Sequence, residues 1–231
     1  MSSLLAIIPA LDEEQTIADV IADVKSHLQA AVLVIDDGST DRTGEVAIEE
    51  GATVLPLPFN SGVGTAIRTG IRFAFENGYT KVIQLDADGQ HGAAQAKLLL
   101  DLMQIQSLDV VVGSRFAAGY HTGRARRFMM RILARMVSRR IGIKITDTTS
   151  GFRAMGPRAI ALFATRYPDE YLSDTVEALL VAGRAGLRIG EVDIQMEQRK
   201  GGLPSTSALL STYHLIRLML VLLLDRGRPH R

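Results

Sequence analysis

The stretch Val82–Gly92, VIQLDADGQHG, decides how this chain is read. Val82–Leu85 has the character of a strand that ends in the core. Directly after it, Asp86, Asp88 and Gln90 set three oxygen-bearing side chains at alternating positions. A buried strand has no packing use for clustered carboxylates at its tip. Two carboxylates and an amide oxygen suit a hard divalent cation, with phosphate oxygens and water completing the shell. Gly89 permits a positive φ or close backbone approach. The alternative is an Asx-turn or an N-cap for a helix over Ala93–Gln104, a duty one aspartate can discharge.

Working outward, short apolar runs at Leu4–Ile8, Val32–Ile35, Thr53–Leu55 and Val110–Val112 read as further strands. Helical spacing fills Glu13–Leu28, Thr43–Glu50, Gly64–Asn77 and Ala93–Gln104; Ile17, Val20, Ile21, Val24 and Leu28, for instance, share one face. Continuous apolar strands separated by helices predict an α/β fold, a mostly parallel sheet covered on both faces. Ligands of such sheets bind beyond the carboxyl ends of the strands. Three ends are acidic: Asp12-Glu13-Glu14, Asp36-Asp37-Gly38-Ser39-Thr40-Asp41 and Asp86-Ala87-Asp88. Carboxylates converging on one edge require a cation or hydrogen-bond donors. Asp41 or Thr40 could cap the helix over Thr43–Glu50, whereas Asp36 and Asp37 sit at the strand tip, where a carboxylate could accept from a nucleobase or ribose.

The second half differs. Gly123–Lys144 holds eight basic residues and no acid, with Arg127, Arg131, Arg135 and Arg139 recurring every four residues on one helical face. Phe128, Met129, Ile132, Leu133, Met136 and Val137 are assigned to the other side. Thr146–Arg153 reads as a loop leading into a short strand, Asp174–Ala185 as a helix and Leu187–Ile194 as a strand. A polar segment, Glu197–Ser207, precedes an amphipathic helix over Ala208–Leu224. No repeat or linker is visible, so the chain is expected to be one domain, 1–231. Within it, residues 1–115, residues 116–207 and a C-terminal helix and tail over 208–231 read as successive parts.

At 231 residues, 47% hydrophobic and 22% charged, the chain has the balance of an ordered globular protein. A net charge of +1 gives no global pull toward nucleic acid, which is not expected as a partner. Without cysteine there is no disulfide or thiolate chemistry, in keeping with a cytoplasmic location. The N-terminal apolar run is a strand, not a signal peptide, and no run reaches the ~18 apolar residues of a spanning helix. The basic segment and the final helix suit peripheral contact with the cytoplasmic membrane face; packing on the sheet or in a homodimer is the alternative for the final helix.

The ordered motifs IIPALDEEQTI, VIDDGSTDRT, QLDADGQH, GSR and DTTSGFRAM resemble the family 2 glycosyltransferases of the GT-A fold, a Rossmann-like sheet flanked by helices. More narrowly they resemble the dolichol-phosphate and polyprenyl-phosphate mannose or glucose synthases, from about Leu4 to Ser207. The resemblance implies an inverting hexosyltransferase that uses a GDP- or UDP-sugar donor, a polyprenyl phosphate acceptor and Mg²⁺ or Mn²⁺. It implies that Pro9, Ala10, Leu11 and Glu13 line the nucleotide pocket and that Asp36 and Asp37 hold base and ribose. Asp86, Asp88 and Gln90 would hold the metal against the diphosphate. Arg115 would reach a phosphate, Arg127 or Arg131 would seat the acceptor phosphate, and Ser150 and Arg153, which with Gly151 match the SGFR turn, would also contact phosphate. Residues 1–115 would then be the nucleotide-sugar-binding half and 116–207 the acceptor side. Arg199 to Ser205, RKGGLPS, resembles the loop that closes over the donor. Departures are Asp12 where the pattern has Asn, Gly92 where it has Pro, and Thr206 where Lys is common.

Charge building on the leaving diphosphate would be offset by the metal and by Arg115 and Arg199. A phosphate acceptor needs no strong base. A protein, glycan or small hydroxyl acceptor does, and Asp147 or Asp174 would then serve. His91 follows Gln90 directly and is expected to pack or hydrogen-bond rather than ligate. A sugar nucleotidyltransferase would carry a Gly- and basic-rich loop after its first strand, where this chain has the acidic PALDEEQT. A non-catalytic binding module would have no use for Asp86, Asp88 and Arg115 together.

Overall fold

The computed structural model describes residues 3–90, 92–116, 124–168, 174–195 and 216–220. Seven strands form one sheet: β1 (Leu4–Ala10), β2 (Ala31–Asp36), β3 (Thr53–Pro56), β4 (Lys81–Gln84), β5 (Val110–Ser114), β6 (Arg153–Met155) and β7 (Ile189–Asp193). Their order is β3-β2-β1-β4-β6-β5-β7. All neighbours are parallel except β6, which runs antiparallel to both β4 and β5. The helices are α1 (Ile17–His27), α2 (Thr43–Glu49), α3 (Val63–Glu76), α4 (Ala93–Ile105), α5 (Arg124–Ile141), α6 (Pro157–Arg166) and α7 (Asp174–Arg184).

The pleat divides the apolar strands between two cores. Leu5, Ile7, Leu33, Ile35, Val82, Val110 and Val112 pack with residues of α3, α5, α6 and α7. Their alternates Leu4, Ala6, Ile8, Val32, Val34, Ile83 and Val111 pack with α1 and α4 on the other face. Both faces are thereby covered, which is why these strands are apolar without interruption. At Gly70 of α3 an added Cβ would lie 2.7 Å from Ile7 Cγ2 and 2.9 Å from Ile35 Cδ1, so glycine lets the helix settle directly on β1 and β2.

Four local expectations change. The helix expected from Glu13 begins at Ile17, because the N–H groups of Thr16 and Ile17 both turn back to the Glu13 carbonyl at 3.0 Å. The short strand after Gly151 inserts between β4 and β5 with reversed direction. Helix α6 had no counterpart in the sequence reading. Phe128 is 61% exposed and lies three, seven and eleven residues before Arg131, Arg135 and Arg139, so it belongs to the basic face of α5 rather than its buried one. Of the expected final helix, residues 216–220 are described; Leu218 joins the core that contains Met130, Leu133 and Val137 of α5. Among the described residues no helix is long and apolar enough to cross a membrane.

Candidate active site

The carboxyl ends of β1, β2, β4 and β5 share one edge of the sheet, and the motif residues gather there. The loop after β1 is stapled to the loop after β2. The Asp12 carboxylate accepts the Thr40 N–H at 2.7 Å, the Asp12 N–H donates to Ser39 Oγ at 3.0 Å, and the Glu13 N–H donates to Thr43 Oγ1 at 2.8 Å. Asp12 has φ 52°, a left-handed conformation that aspartate tolerates better than most side chains. Asp41 accepts the Thr43 N–H at 2.9 Å and the Glu14 N–H at 3.1 Å, so it serves both the start of α2 and the first loop. Pro9, Ala10 and Leu11 follow this edge with Leu11 exposed, while the Glu13 carboxylate accepts the Thr16 hydroxyl at 2.9 Å.

Asp36 and Asp37 do different work. Asp37 is buried, and its two oxygens accept the N–H groups of Ser61 at 2.8 Å and Gly62 at 2.9 Å at the start of α3. Burial pushes its carboxyl up, the two N–H groups pull it back, and the charge of Asp36 adds to the rise. Both oxygens of this carboxylate are thus engaged by the backbone at the start of α3. Asp36 is half-buried and accepts the Ser39 N–H at 2.9 Å, so it is the member of the pair left at the surface of the edge. Gly38, at φ 78°, lets the chain turn here; an added Cβ would stand 2.6 Å from the Phe59 carbonyl carbon.

Beyond β4, Asp86, Asp88 and Gln90 are all half-buried, and Asp88 accepts the Gln90 N–H at 3.0 Å. Gly89 takes φ 71°. A Cβ on Gly151 would lie 3.3 Å from Asp86 Oδ1 and 3.3 Å from Gln84 Nε2, so the absence of a side chain at Gly151 keeps the space beside the Asp86 carboxylate open. Among the described residues no three acidic, histidine or cysteine side chains cluster to enclose a metal by themselves. His91, Arg199 and Ser205 lie outside the described residues.

Arg115, at the end of β5, is held by Asp147. Its Nε donates to Oδ2 at 2.7 Å, its Nη2 to Oδ1 at 2.9 Å and to Thr149 Oγ1 at 2.8 Å, and its N–H to Oδ2 at 3.2 Å. The Asp147 side chain is fully buried, that of Arg115 13% exposed. Burial alone would raise the Asp147 carboxyl, but the hydrogen bonds and charge of Arg115 outweigh it and hold it below the ordinary carboxylate range. Asp147 is therefore a poor base.

Ser150 and Arg153 are inside the protein, not at its surface. Ser150 Oγ accepts the Phe152 N–H at 3.3 Å; Arg153 donates to the Ser150 carbonyl at 2.9 Å and the Thr148 carbonyl at 3.3 Å. Burial lowers the Arg153 pKa. These two residues shape the 148–151 loop from beneath, a framework duty in place of the phosphate contact expected of them. Arg127 and Arg131 instead line a groove of about 690 Å³ along α5, with Phe116 and Thr146, the chain neighbours of Arg115 and Asp147.

A model described as glycosyl transferase family 2 matches residues 5–162. The chain belongs to this family. It is 31% identical over 218 residues to an undecaprenyl-phosphate mannosyltransferase of Micrococcus luteus, covering 86% of this chain and 85% of the relative. It is 28% identical over 212 residues to a UDP-N-acetylglucosamine–dolichyl-phosphate N-acetylglucosaminyltransferase of Methanococcus voltae, covering 82% and 83%. Its fold matches that of Mycobacterium tuberculosis glucosyl-3-phosphoglycerate synthase, crystallised with Mn²⁺, UDP and glucosyl-3-phosphoglycerate. The TM-score is 0.73 at 21% identity, over 98% of this chain and 81% of that one. The glycosyltransferase thus has the GT-A fold.

Two buried polar side chains of this glycosyltransferase stand out: Gln84, which the sequence did not single out, and Asp174, which it offered only as a candidate base. Gln84 is 1% exposed and its Oε1 has no hydrogen-bond partner among the described residues. Asp174, 2% exposed, likewise leaves Oδ2 without one. The Asp174 carboxyl is raised to about 6, chiefly by burial; the Thr175 N–H and the Arg153 charge work against the rise, and the charges of Glu177 and Asp86 add to it. Gln84 pairs in register with Arg153 across β4 and β6, so these polar groups stack behind Asp86. Only the reversed insertion of β6 brings them together.

Proposed function

We propose that this enzyme transfers a hexose, mannose or glucose, from a GDP- or UDP-linked donor to a polyprenyl or dolichyl phosphate, with inversion and with Mg²⁺ or Mn²⁺ bound. The observation that carries the acceptor choice is the Arg115–Asp147 pair. A hydroxyl acceptor needs a base, and both Asp147 oxygens are engaged by a guanidinium. A phosphate monoester has a second pKa of roughly 6 and arrives already anionic. The lipid-phosphate acceptors in the names of the two sequence relatives support the same choice.

Asp86 and Asp88 would hold the ion, with the Gln90 side chain as a further oxygen donor. Two carboxylates leave most of an octahedral shell to diphosphate oxygens and water, the mode Mg²⁺ favours. The space kept open by Gly151 beside Asp86 fits that use. When bound there, the ion supplies Lewis-acid neutralisation of the diphosphate charge.

Asp36 would accept from base or ribose. Arg115, fixed in advance by Asp147, would offer positive charge to a phosphate without reorganising. Arg127 or Arg131 would seat the acceptor phosphate, and Arg199 and Ser205 would belong to the closing loop. The acceptor oxygen then attacks the anomeric carbon from the face opposite the diphosphate, the bond to the diphosphate oxygen breaks, and the nucleoside diphosphate leaves.

A second reading, transfer to a hydroxyl acceptor, has one observation in its favour: Asp174, a buried carboxyl poised at about 6 within the field of Asp86, is in the range of a general base. The test is to incubate the enzyme with Mg²⁺ or Mn²⁺, detergent-dispersed polyprenyl phosphate and a panel of labelled sugar nucleotides. Label should enter the lipid phase, and Asp88→Ala should abolish it. No transfer from any donor, with wild type equal to Asp88→Ala, overturns the proposal.

A further inference from the structure

The groove along α5 holds more positive charge than one acceptor phosphate can use. Arg127, Arg131, Arg135, Arg139 and Lys144 line it together with Phe116, and no carboxylate is among the lining residues. The side chains of Arg131, Arg135, Arg139 and Lys144 have no ion pair or hydrogen bond among the described residues. The acid beside this segment, Glu191, is already spent on the N–H groups of Thr146 and Asp147, at 2.9 and 2.8 Å, and on the Thr146 hydroxyl at 2.9 Å. With a net charge of only +1 on the chain, this is a local concentration of charge rather than a general one.

Its shape narrows the occupant. Arg131 to Arg139 spans two turns of helix, about 12 Å at 1.5 Å per residue. A single phosphate meets one or two of these cations; a row of that length matches a plane carrying several anions. The same face carries Phe128, 61% exposed, and the adjoining residues 216–220 turn Ile216 and Leu220 outward at 43% and 53% while Leu218 anchors them to the α5 core. Cations in a row with protruding apolar side chains are the pattern of a helix lying in a lipid interface.

We infer that the α5 groove and its rim dock this enzyme on the anionic phospholipid headgroups of a bilayer, through Arg135, Arg139, Lys144 and Phe128. Docking is separate from binding the lipid that accepts the sugar. Because Phe116 and Thr146 adjoin the Arg115–Asp147 pair, docking by this face brings that end of the active site to the membrane surface, where a polyprenyl phosphate would present its headgroup. That consequence rests on the proposed acceptor; the docking itself does not.

The test sediments the full chain with phosphatidylcholine vesicles, with and without phosphatidylglycerol, none containing polyprenyl phosphate. Binding is expected only to the anionic vesicles and should weaken as salt rises. The triple substitution Arg135→Ser, Arg139→Ser, Lys144→Ser, all at exposed positions, should weaken it about 100-fold, each cation near the surface being worth about fivefold. Phe128→Ser should weaken it independently, and the triple variant should keep wild-type transfer to detergent-dispersed acceptor. Equal binding to both kinds of vesicle, or a triple variant that binds like wild type, overturns the docking surface. So does displacement from vesicles by inorganic phosphate at an ionic strength where chloride has no effect, since that outcome identifies a site for free phosphate.

Discussion

Replacing Asp147 by asparagine removes one charge from a buried pair and keeps its shape. The carboxylate accepts three hydrogen bonds from Arg115 and two from Thr149, the latter at 3.3 and 3.2 Å. An amide offers one acceptor oxygen and turns an NH₂ toward the guanidinium, so Arg115 keeps its charge inside the protein without compensation. Breaking a buried pair from one side costs about 3–5 kcal/mol. The lower end applies, because Arg115 retains 13% exposure and a bond to Thr149 Oγ1. About 3 kcal/mol corresponds to a fall in melting temperature of roughly 6–12 °C for a chain of this size. The pH dependence has a fixed sign. The folded pKa of Asp147 lies below its unfolded value, so its contribution is present above the ordinary carboxylate range and is lost as pH falls through the folded pKa. The gap between wild type and Asp147→Asn should therefore be full at pH 7 and close only in acid. Thermal unfolding of wild type, Asp147→Asn, Arg115→Met and the double variant measures the coupling. A melting temperature of Asp147→Asn within about 2 °C of wild type at pH 7, or coupling near zero in the cycle, would refute the account of Arg115 as a charge held in place by Asp147.

Asp174 should behave in the opposite sense. Its folded pKa is raised to about 6, so folding takes up a proton between about pH 4 and 6 and stability falls as pH rises across that window. In metal-free protein, Asp174→Asn should gain stability on wild type by up to about 3 kcal/mol between pH 4 and 8; parallel stability–pH curves would contradict the raised pKa. Gly151→Ala should crowd Asp86 and weaken metal-dependent donor binding about tenfold by calorimetry, with little change in melting temperature, because the added carbon meets polar atoms at 3.3 Å rather than backbone. Unchanged donor affinity would remove Asp86 from the metal site. Gly38→Ala, by contrast, puts a Cβ at φ 78° within 2.6–2.8 Å of the Phe59–Asn60 backbone, and should cost at least about 2 kcal/mol in urea unfolding; a variant as stable as wild type would rule out the tight contact between these two turns.

How far the sequence carries depends on which contacts are local. The strands and most helices were legible because a strand covered on both faces must be apolar throughout, and the pattern survives whatever the order of strands. Asp86 and Asp88 stood out because nothing in a strand tip needs two carboxylates, and the structure sets both half-buried beyond β4. The division of labour between Asp36 and Asp37 was not: adjacent identical side chains differ only in what lies across from them, and the Ser61 and Gly62 N–H groups that claim Asp37 arrive from 24 and 25 residues away. Arg115 illustrates the same limit. Its position after β5 is visible in GSR, but its partner comes from a loop 32 residues later.

That loop, Thr146–Gly151, connects the two halves of the site. Gly151 leaves room beside Asp86, Thr149 and Asp147 hold Arg115, and Thr146 borders the basic groove. Beneath it, Arg153 fastens the Thr148 and Ser150 carbonyls, and β6 fixes Arg153 opposite Gln84 between β4 and β5. An arginine taken from sequence as a phosphate ligand is thus used to set the height of the loop. A buried guanidinium is costly where neutral carbonyls are its hydrogen-bond acceptors, and the nearby charge of Asp174 offsets that cost from the next layer. Arg153→Met should then leave the donor-side residues in place but loosen the loop they share with the groove. Thermal stability should fall modestly, while donor affinity and transfer to lipid fall together; loss of stability with both functions intact would mean that the loop is held by Asp147 and Glu191 alone.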